Sequence, residues 1–127
     1  MKTIIAGSRG IRDYDLVKKA VVQSHFSISE IYSGGANGVD KMGEEYGRKN
    51  GIPVKVFPAK WEDFSAPCSV KINKFGRKYN AMAGYNRNRK MAETAEALIA
   101  IHNGSPGTQD MIEVARAKGL KVFEWFV

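Results

Sequence analysis

Three short segments of this chain carry the residue types that hold an anion. They are Gly7-Ser8-Arg9-Gly10, Ser33-Gly34-Gly35-Ala36-Asn37-Gly38 and Asn103-Gly104-Ser105-Pro106-Gly107-Thr108. Each follows a short apolar run and precedes a helical pattern. Glycine lets main chain approach a ligand, and the first turn of the following helix offers unpaired N–H groups at its positive end. One such turn is an ordinary strand-to-helix connection, whereas three in one short chain point to a phosphate-binding edge. None is a phosphate-binding P-loop, which needs Gly-Lys-Ser/Thr, and none is a full GxGxxG. Arg9 has the planar fork that grips phosphate or carboxylate in bidentate fashion. Asp40 follows the second turn, where the helix dipole alone favours a carboxylate and where a ribose hydroxyl could also be met. Arg87 and Asn88 are read as opening the helix before the fourth strand, so Arg9 and Arg87 should converge on one phosphate-bearing ligand. Met91 reads as core. His102 has no nucleophile or carboxylate pair near it in sequence, and reads as structural.

These residues need a scaffold that brings the turns to one edge. KTIIA (2–6), EIYS (30–33), PVKVFP (53–58), ALIAI (97–101) and LKVFEWFV (120–127) read as strand segments. Helices are expected from an Asp13 cap to about Ser24, with Leu16, Ala20 and Val21 on one face. Others are expected from Val39 to Lys49 with an Asn50-Gly51 stop, from Arg87 to about Ala95, and from Thr108 to Lys118. Strands alternating with helices predict an α/β fold: a Rossmann-like open parallel sheet of about five strands with helices on both faces. Ligands of such sheets bind beyond the carboxyl ends of the strands, where all three turns fall. Residues 59–85 lack a sustained period and read as a long loop excursion.

The chain has 127 residues, 43% of them apolar and 26% charged. At roughly 100–200 residues per domain this is one domain, 1–127, with the composition of a globular rather than a disordered chain. The single cysteine, Cys68, excludes a disulfide framework and a multi-cysteine metal site. The absence of a long apolar run argues against a membrane span or a secretory signal, and a cytoplasmic protein is expected. Lys plus Arg exceeds Asp plus Glu by 20 to 13. The whole excess lies in residues 55–90, which hold nine basic residues against Glu62 and Asp63. Such a field attracts phosphates, nucleotides or nucleic acid. Lys71, Lys74, Arg77 and Lys78 concentrate it within the excursion.

GSRG, SGGANGVD, AGYNRNRKM and NGSPGTQDM, in this order, resemble the YspA-like branch of the SLOG superfamily. That superfamily is named for the DNA-processing Smf/DprA proteins and the Lonely Guy (LOG) enzymes. The resemblance covers nearly the whole chain, with 65–83 the least constrained part. It implies a Rossmann-like domain binding a nucleotide or nucleotide-derived molecule at the glycine turns. The ligand set it implies is Gly7, Ser8, Arg9, Gly34, Gly35, Gly38, Asp40, Arg87, Asn88, Gly104, Gly107 and Thr108. LOG phosphoribohydrolases carry an acid–base glutamate three residues after the threonine of their glycine loop. Here that position is Met111, which cannot carry a proton, so the resemblance supplies no catalytic residue.

Three functions follow in order. The first is a sensor or sequestering module for a nucleotide-derived small molecule, which needs only the turns, Arg9 and Arg87. The second is a nucleotide-processing enzyme of the LOG type. The third is DprA-like nucleic-acid binding through the basic excursion, with Phe75, Tyr79 and Tyr85 available to stack bases. No cofactor, metal or membrane partner is expected, and self-association is left open.

Overall fold

A computed structural model describes residues 1–127. Its central sheet contains β1 (Lys2–Gly7), β2 (Glu30–Ser33), β3 (Val54–Val56), β6 (Ala97–His102) and β7 (Lys121–Phe126), all parallel. The order across the sheet is β3-β2-β1-β6-β7. From β1 the chain winds outward through β2 and β3. It then crosses to the other side of β1 for β6 and β7. The reversal between β1 and β6 is the topological switch point, where the turns leaving two neighbouring strands diverge and open a crevice. No helix is long and apolar enough to cross a membrane.

Helices α1 (Tyr14–Ser24) and α2 (Val39–Lys49) cover one face, and α3 (Ala83–Thr94) and α4 (Pro106–Ala117) cover the other. The two-residue period of the strands divides their side chains between the faces. Ile5, Ile99 and Ile101 pack with Val17, Ala20 and Val39. Ile4, Ala6, Leu98 and Ala100 pack with Met91, Ala92, Met111 and Ala115. β6 is buried along its whole length, as a central parallel strand must be when helices cover both its faces. Helix α1 buries Val17 with Ala20 and Val21, while Leu16 is half-buried beside them.

Local chemistry sets the helix ends. Asp13 accepts the Asp15 N–H at 3.0 Å and caps α1. Asn50 closes α2 through its N–H to the Tyr46 and Gly47 carbonyls. Helix α4 starts at Pro106, two residues before the expected Thr108, because proline at the first turn forfeits an N–H that has no helical acceptor anyway.

The excursion is more ordered than its sequence pattern suggests. It contains an antiparallel hairpin, β4 (Val70–Ile72) with β5 (Lys78–Asn80). Asn73 Oδ1 accepts from the Phe75 and Arg77 amides, and Gly76 takes φ +76° to close the turn. Helix α3 begins at Ala83, so Arg87 and Asn88 lie in its second turn and do not open it. Asn80 anchors the hairpin. Its buried amide donates to the Asp63 and Pro67 carbonyls at 2.9 and 3.1 Å and accepts from the Ser69 and Met82 amides. The Asn80 backbone N–H reaches the Trp61 carbonyl as well. A two-stranded hairpin is marginal alone, and this fully paired side chain supplies its attachment.

Candidate functional site

A cleft of about 470 Å³ opens at the switch point. The turns after β1 and β6 form its floor, and α3 and the start of the excursion form its walls. Ser8, 3% exposed, ties the two turns together. Its Oγ lies 2.8 Å from Asn103 Oδ1 and 2.9 Å from Ser105 Oγ, and accepts the Asn103 N–H at 3.1 Å. Ser105 Oγ donates onward to Thr108 Oγ1 at 3.0 Å. The Ser8 carbonyl also accepts the Val39 N–H, joining the start of α2 to the β1 turn. That junction requires Gly38: φ is +79°, and a Cβ there would lie 2.5 Å from the Ser8 and Arg9 carbonyl oxygens. Gly35 also takes positive φ, +74°.

Two cations and one carboxylate face the cleft. Arg87 donates from NH1 to the Gly34 carbonyl and to the Phe57 carbonyl at 3.4 Å, and from Nε to Asn88 Oδ1 at 3.2 Å. It thereby pins the ends of β2 and β3 to α3, while NH2 has no protein acceptor. Arg9 is exposed and forms no side-chain hydrogen bond or ion pair within the protein. Burial lowers the Arg87 pKa. Asp40 opposes that shift, and Arg9 adds to it, which places the two guanidinium groups within electrostatic reach. Asp40 is 5% exposed. Burial pushes its carboxyl up to about 6, although the Ala36 N–H, donating to Oδ2 at 3.3 Å, and Arg87 both hold it down. Gly34 sits between these charges: a Cβ there would come 2.6 Å from Arg87 NH1 and 2.7 Å from Asp40 Oδ2.

The main chain supplies the remaining donors. The N–H groups of Arg9 and Gly10, and those of Gly107 and Thr108 in the first turn of α4, have no acceptor within the protein. A Cβ on Gly10 or Gly107 would meet nothing within 4 Å, so both glycines border open space. Of the residues expected at a site, Gly7, Ser8, Arg9 and Asp40 line the cleft, as do Arg87, Asn88, Gly107 and Thr108. Gly34, Gly35, Gly38 and Gly104 do not line it but belong to the turns that carry its lining. Several lining side chains are already engaged. Asn88 donates to the Gly107 carbonyl at 3.2 Å and to Asp110 Oδ2 at 3.1 Å, clamping α3 to the start of α4. Met111 and Met91, both 1% exposed, lie at the cleft's base.

His102 is held away from this chemistry. Nδ1 accepts the Gly104 N–H at 3.1 Å, leaving the proton on Nε2 to be donated to Glu124 at 2.8 Å. This hydrogen bond, together with Arg116, holds the Glu124 carboxyl below its ordinary range. Trp61 also lines the cleft and has no role in the sequence reading, and Tyr85, read there as a base-stacking residue of the basic excursion, lines it too. Trp61 comes from aperiodic chain and Tyr85 from the first turn of α3, and both stay partly exposed, at 40% and 36%. Their signal was aromatic character in a segment with little core to fill.

The fold has a solved counterpart. The X-ray structure of DNA processing protein A (DprA) from Streptococcus pneumoniae superposes with a TM-score of 0.71 at 21% identity. The match covers 97% of this chain and 49% of that one, so the chain spans about half the length of its structural relative. The curated proteins give no match. A model of the YspA, cpYpsA-related SLOG family matches residues 1–64. That half of the chain carries the β1 and β2 turns, Gly38 and Asp40, while Arg87 and the α4 turn lie beyond it. By this match the chain belongs to the YspA, cpYpsA-related SLOG family.

Proposed function

We propose that residues 1–127 form a single domain that binds a nucleotide or nucleotide-derived small molecule in the switch-point cleft, as a sensor or sequestering module. One observation carries the reading: Arg9 and Arg87 line the same 470 Å³ space as Gly10, Gly107 and Thr108, and the amides of those three and of Arg9 are unpaired. That volume lies within the range of roughly 300–1,000 Å³ typical of small-molecule sites. The α4 N-terminus and the Arg9-Gly10 amides supply an anion seat, and the two guanidinium groups supply the counter-charge. Asp40 receives ribose hydroxyls, and Trp61 and Tyr85 offer faces for a base. In this reading Ser8, Asn88 and Thr108 hold the loops in register, and the turn glycines permit the close packing. Turnover is not part of the proposal. Met111 offers no proton, and Asp110 is committed to Asn88.

Native mass spectrometry of freshly purified protein tests this reading, with a panel of nucleoside mono- and diphosphates added to the stripped protein. A nucleotide-sized adduct is expected. Arg9→Ala should weaken it about tenfold to a hundredfold, the equivalent of losing a charge-assisted hydrogen bond of about 1.5–3 kcal/mol. Because Arg9 has no partner in the fold, the melting temperature should stay unchanged. No adduct from either source at millimolar nucleotide would overturn the proposal.

A second reading, nucleic-acid binding, rests on the hairpin. Lys71, Lys74, Arg77 and Lys78 are all exposed on it without an ion pair, and Phe75 at its tip is 81% exposed.

A further inference from the structure

A second cavity, of about 420 Å³, lies on the other side of Arg87. Lys55 from β3, Lys60 from the segment after it and Lys90 from α3 line it, and Arg87 is common to both cavities. Arg87 and Lys90 are three residues apart on α3 and so share one helix face. Asp63, Ala66 and Asn80 of the excursion also line the cavity. None of the three lysines forms an ion pair. The Lys55 ammonium rests 5.0 Å from the centre of the Phe57 ring. Asp63 is the one acid in the lining, and its Oδ1 already accepts from the Ser65 amide and hydroxyl. Four cations therefore face one recess with a single, already hydrogen-bonded carboxylate among them.

We infer that this recess is an anion subsite, and that it takes the outer phosphoryl group of a ligand whose inner phosphate sits in the switch-point cleft. The inference rests on the proposed function and narrows the ligand to nucleoside diphosphates and their conjugates rather than monophosphates. Arg87 is the hinge of the argument. Its NH1 group is spent on the Gly34 and Phe57 carbonyls, which fixes the guanidinium plane of a residue that borders both cavities. A diphosphate linkage passing this plane meets the α4 and Arg9-Gly10 amides on one side and the three lysines on the other. A monophosphate reaches only the first set.

The test compares adenosine and guanosine 5′-monophosphates and 5′-diphosphates by calorimetry at fixed ionic strength. It uses wild type, the triple variant Lys55→Ala/Lys60→Ala/Lys90→Ala, and a control, Lys18→Ala/Lys19→Ala/Lys121→Ala. The control removes the same charge from exposed positions that line neither cavity. In wild type the diphosphate should bind at least tenfold more tightly than the monophosphate. The cavity variant should lose that preference and keep monophosphate affinity and melting temperature, while the control keeps the preference. Equal binding of mono- and diphosphate by wild type overturns the subsite and leaves the cleft reading standing. Equal loss of both ligands in the cavity variant and the control overturns it too, since only the general field is then at work. No binding of any of the four nucleotides overturns both readings. If the cavity variant loses affinity for a labelled oligonucleotide while wild type binds mono- and diphosphate alike, the recess belongs to a nucleic-acid backbone and the inference fails.

Discussion

Replacing Asp40 by Asn should make the protein more stable at neutral pH and leave it unchanged in acid. Asp40 is buried against the β1 and β2 turns, and its carboxyl is raised from the ordinary 3.8 to about 6. Below about pH 4 the group is protonated in both folded and unfolded chains and contributes nothing. Between about 4 and 6 the unfolded chain ionises while the folded one holds its proton, so stability falls as pH rises. Above about 6 both are ionised, and the folded state carries the full desolvation penalty. The gap between 3.8 and about 6, at about 1.4 kcal/mol per pKa unit, comes to about 3 kcal/mol. For a chain of this length that is on the order of 10 °C in melting temperature. The assay is urea unfolding of wild type and Asp40→Asn at half-unit steps from pH 4 to 7.5. Asparagine keeps an oxygen for the Ala36 N–H, and every other titrating group is common to both proteins, so the difference curve isolates Asp40. It should climb by about 3 kcal/mol in favour of the variant and flatten above about pH 6.5. Parallel curves would refute the reasoning, because they would mean that water or Arg87 offsets the burial of the charge. A climb in the opposite direction would mean that Asp40 is a net stabilising anion.

Two further outcomes separate construction from recognition. Gly38→Ala should destabilise the fold by more than about 2 kcal/mol, since the backbone has φ +79° and the new Cβ would press on two carbonyl oxygens; thermal unfolding reads this directly. Gly107→Ala should leave the fold intact or stabilise it by up to about 1 kcal/mol, as a helical alanine in open space. It should nevertheless weaken nucleotide binding in calorimetry, because the new methyl stands where the ligand must approach. Neutralising Lys71, Lys74, Arg77 and Lys78 to alanine addresses the second reading. If these four bind single-stranded nucleic acid, wild-type affinity for a labelled oligonucleotide falls with a log–log salt slope near about −2.8, and the variant flattens it. The small-molecule reading expects weak oligonucleotide binding and a shallow slope in both proteins.

The parts of the fold that were legible in sequence are those whose signals are local. The apolar runs at Lys2–Gly7 and Ala97–His102, the Asp13 cap and the Asn50-Gly51 stop each act within one turn or one strand. Parallel topology then carried all three glycine turns to one edge without further information. The hairpin was hidden for the opposite reason. Its strands have three residues each, and Val70 and Ile72 face solvent, so they show no buried alternation. The turn chemistry of Asn73 and Gly76 was its one local sign. The early start of α3 was less plain than a capped one, because Met82 has no side-chain cap; the Asn80 side-chain Oδ1 receives the Met82 N–H instead. It is a local Asx-type turn, so the sign stood two residues ahead of the cap position.

The same division runs through the site. On the proposed reading, an anion seat built from the Arg9, Gly10, Gly107 and Thr108 amides asks of the sequence only small residues after a strand, which is why such turns stand out in sequence and why they say little about the ligand. The side chains that the family resemblance suggested, Ser8, Asn88 and Thr108, spend their hydrogen bonds on Asn103, Ser105, Gly107 and Asp110, and so fix the positions of the amides. On the same reading, choice among ligands falls to groups that the fold imports from elsewhere: the Trp61 and Tyr85 faces, and the Lys55, Lys60 and Lys90 recess. Trp61 and Lys60 lie in aperiodic chain, and Asn80 holds that chain through backbone carbonyls that no pattern announces. On the proposed reading, the local motifs make the cleft a place for phosphate, and the hairpin-anchored excursion decides which phosphate-bearing molecule enters it.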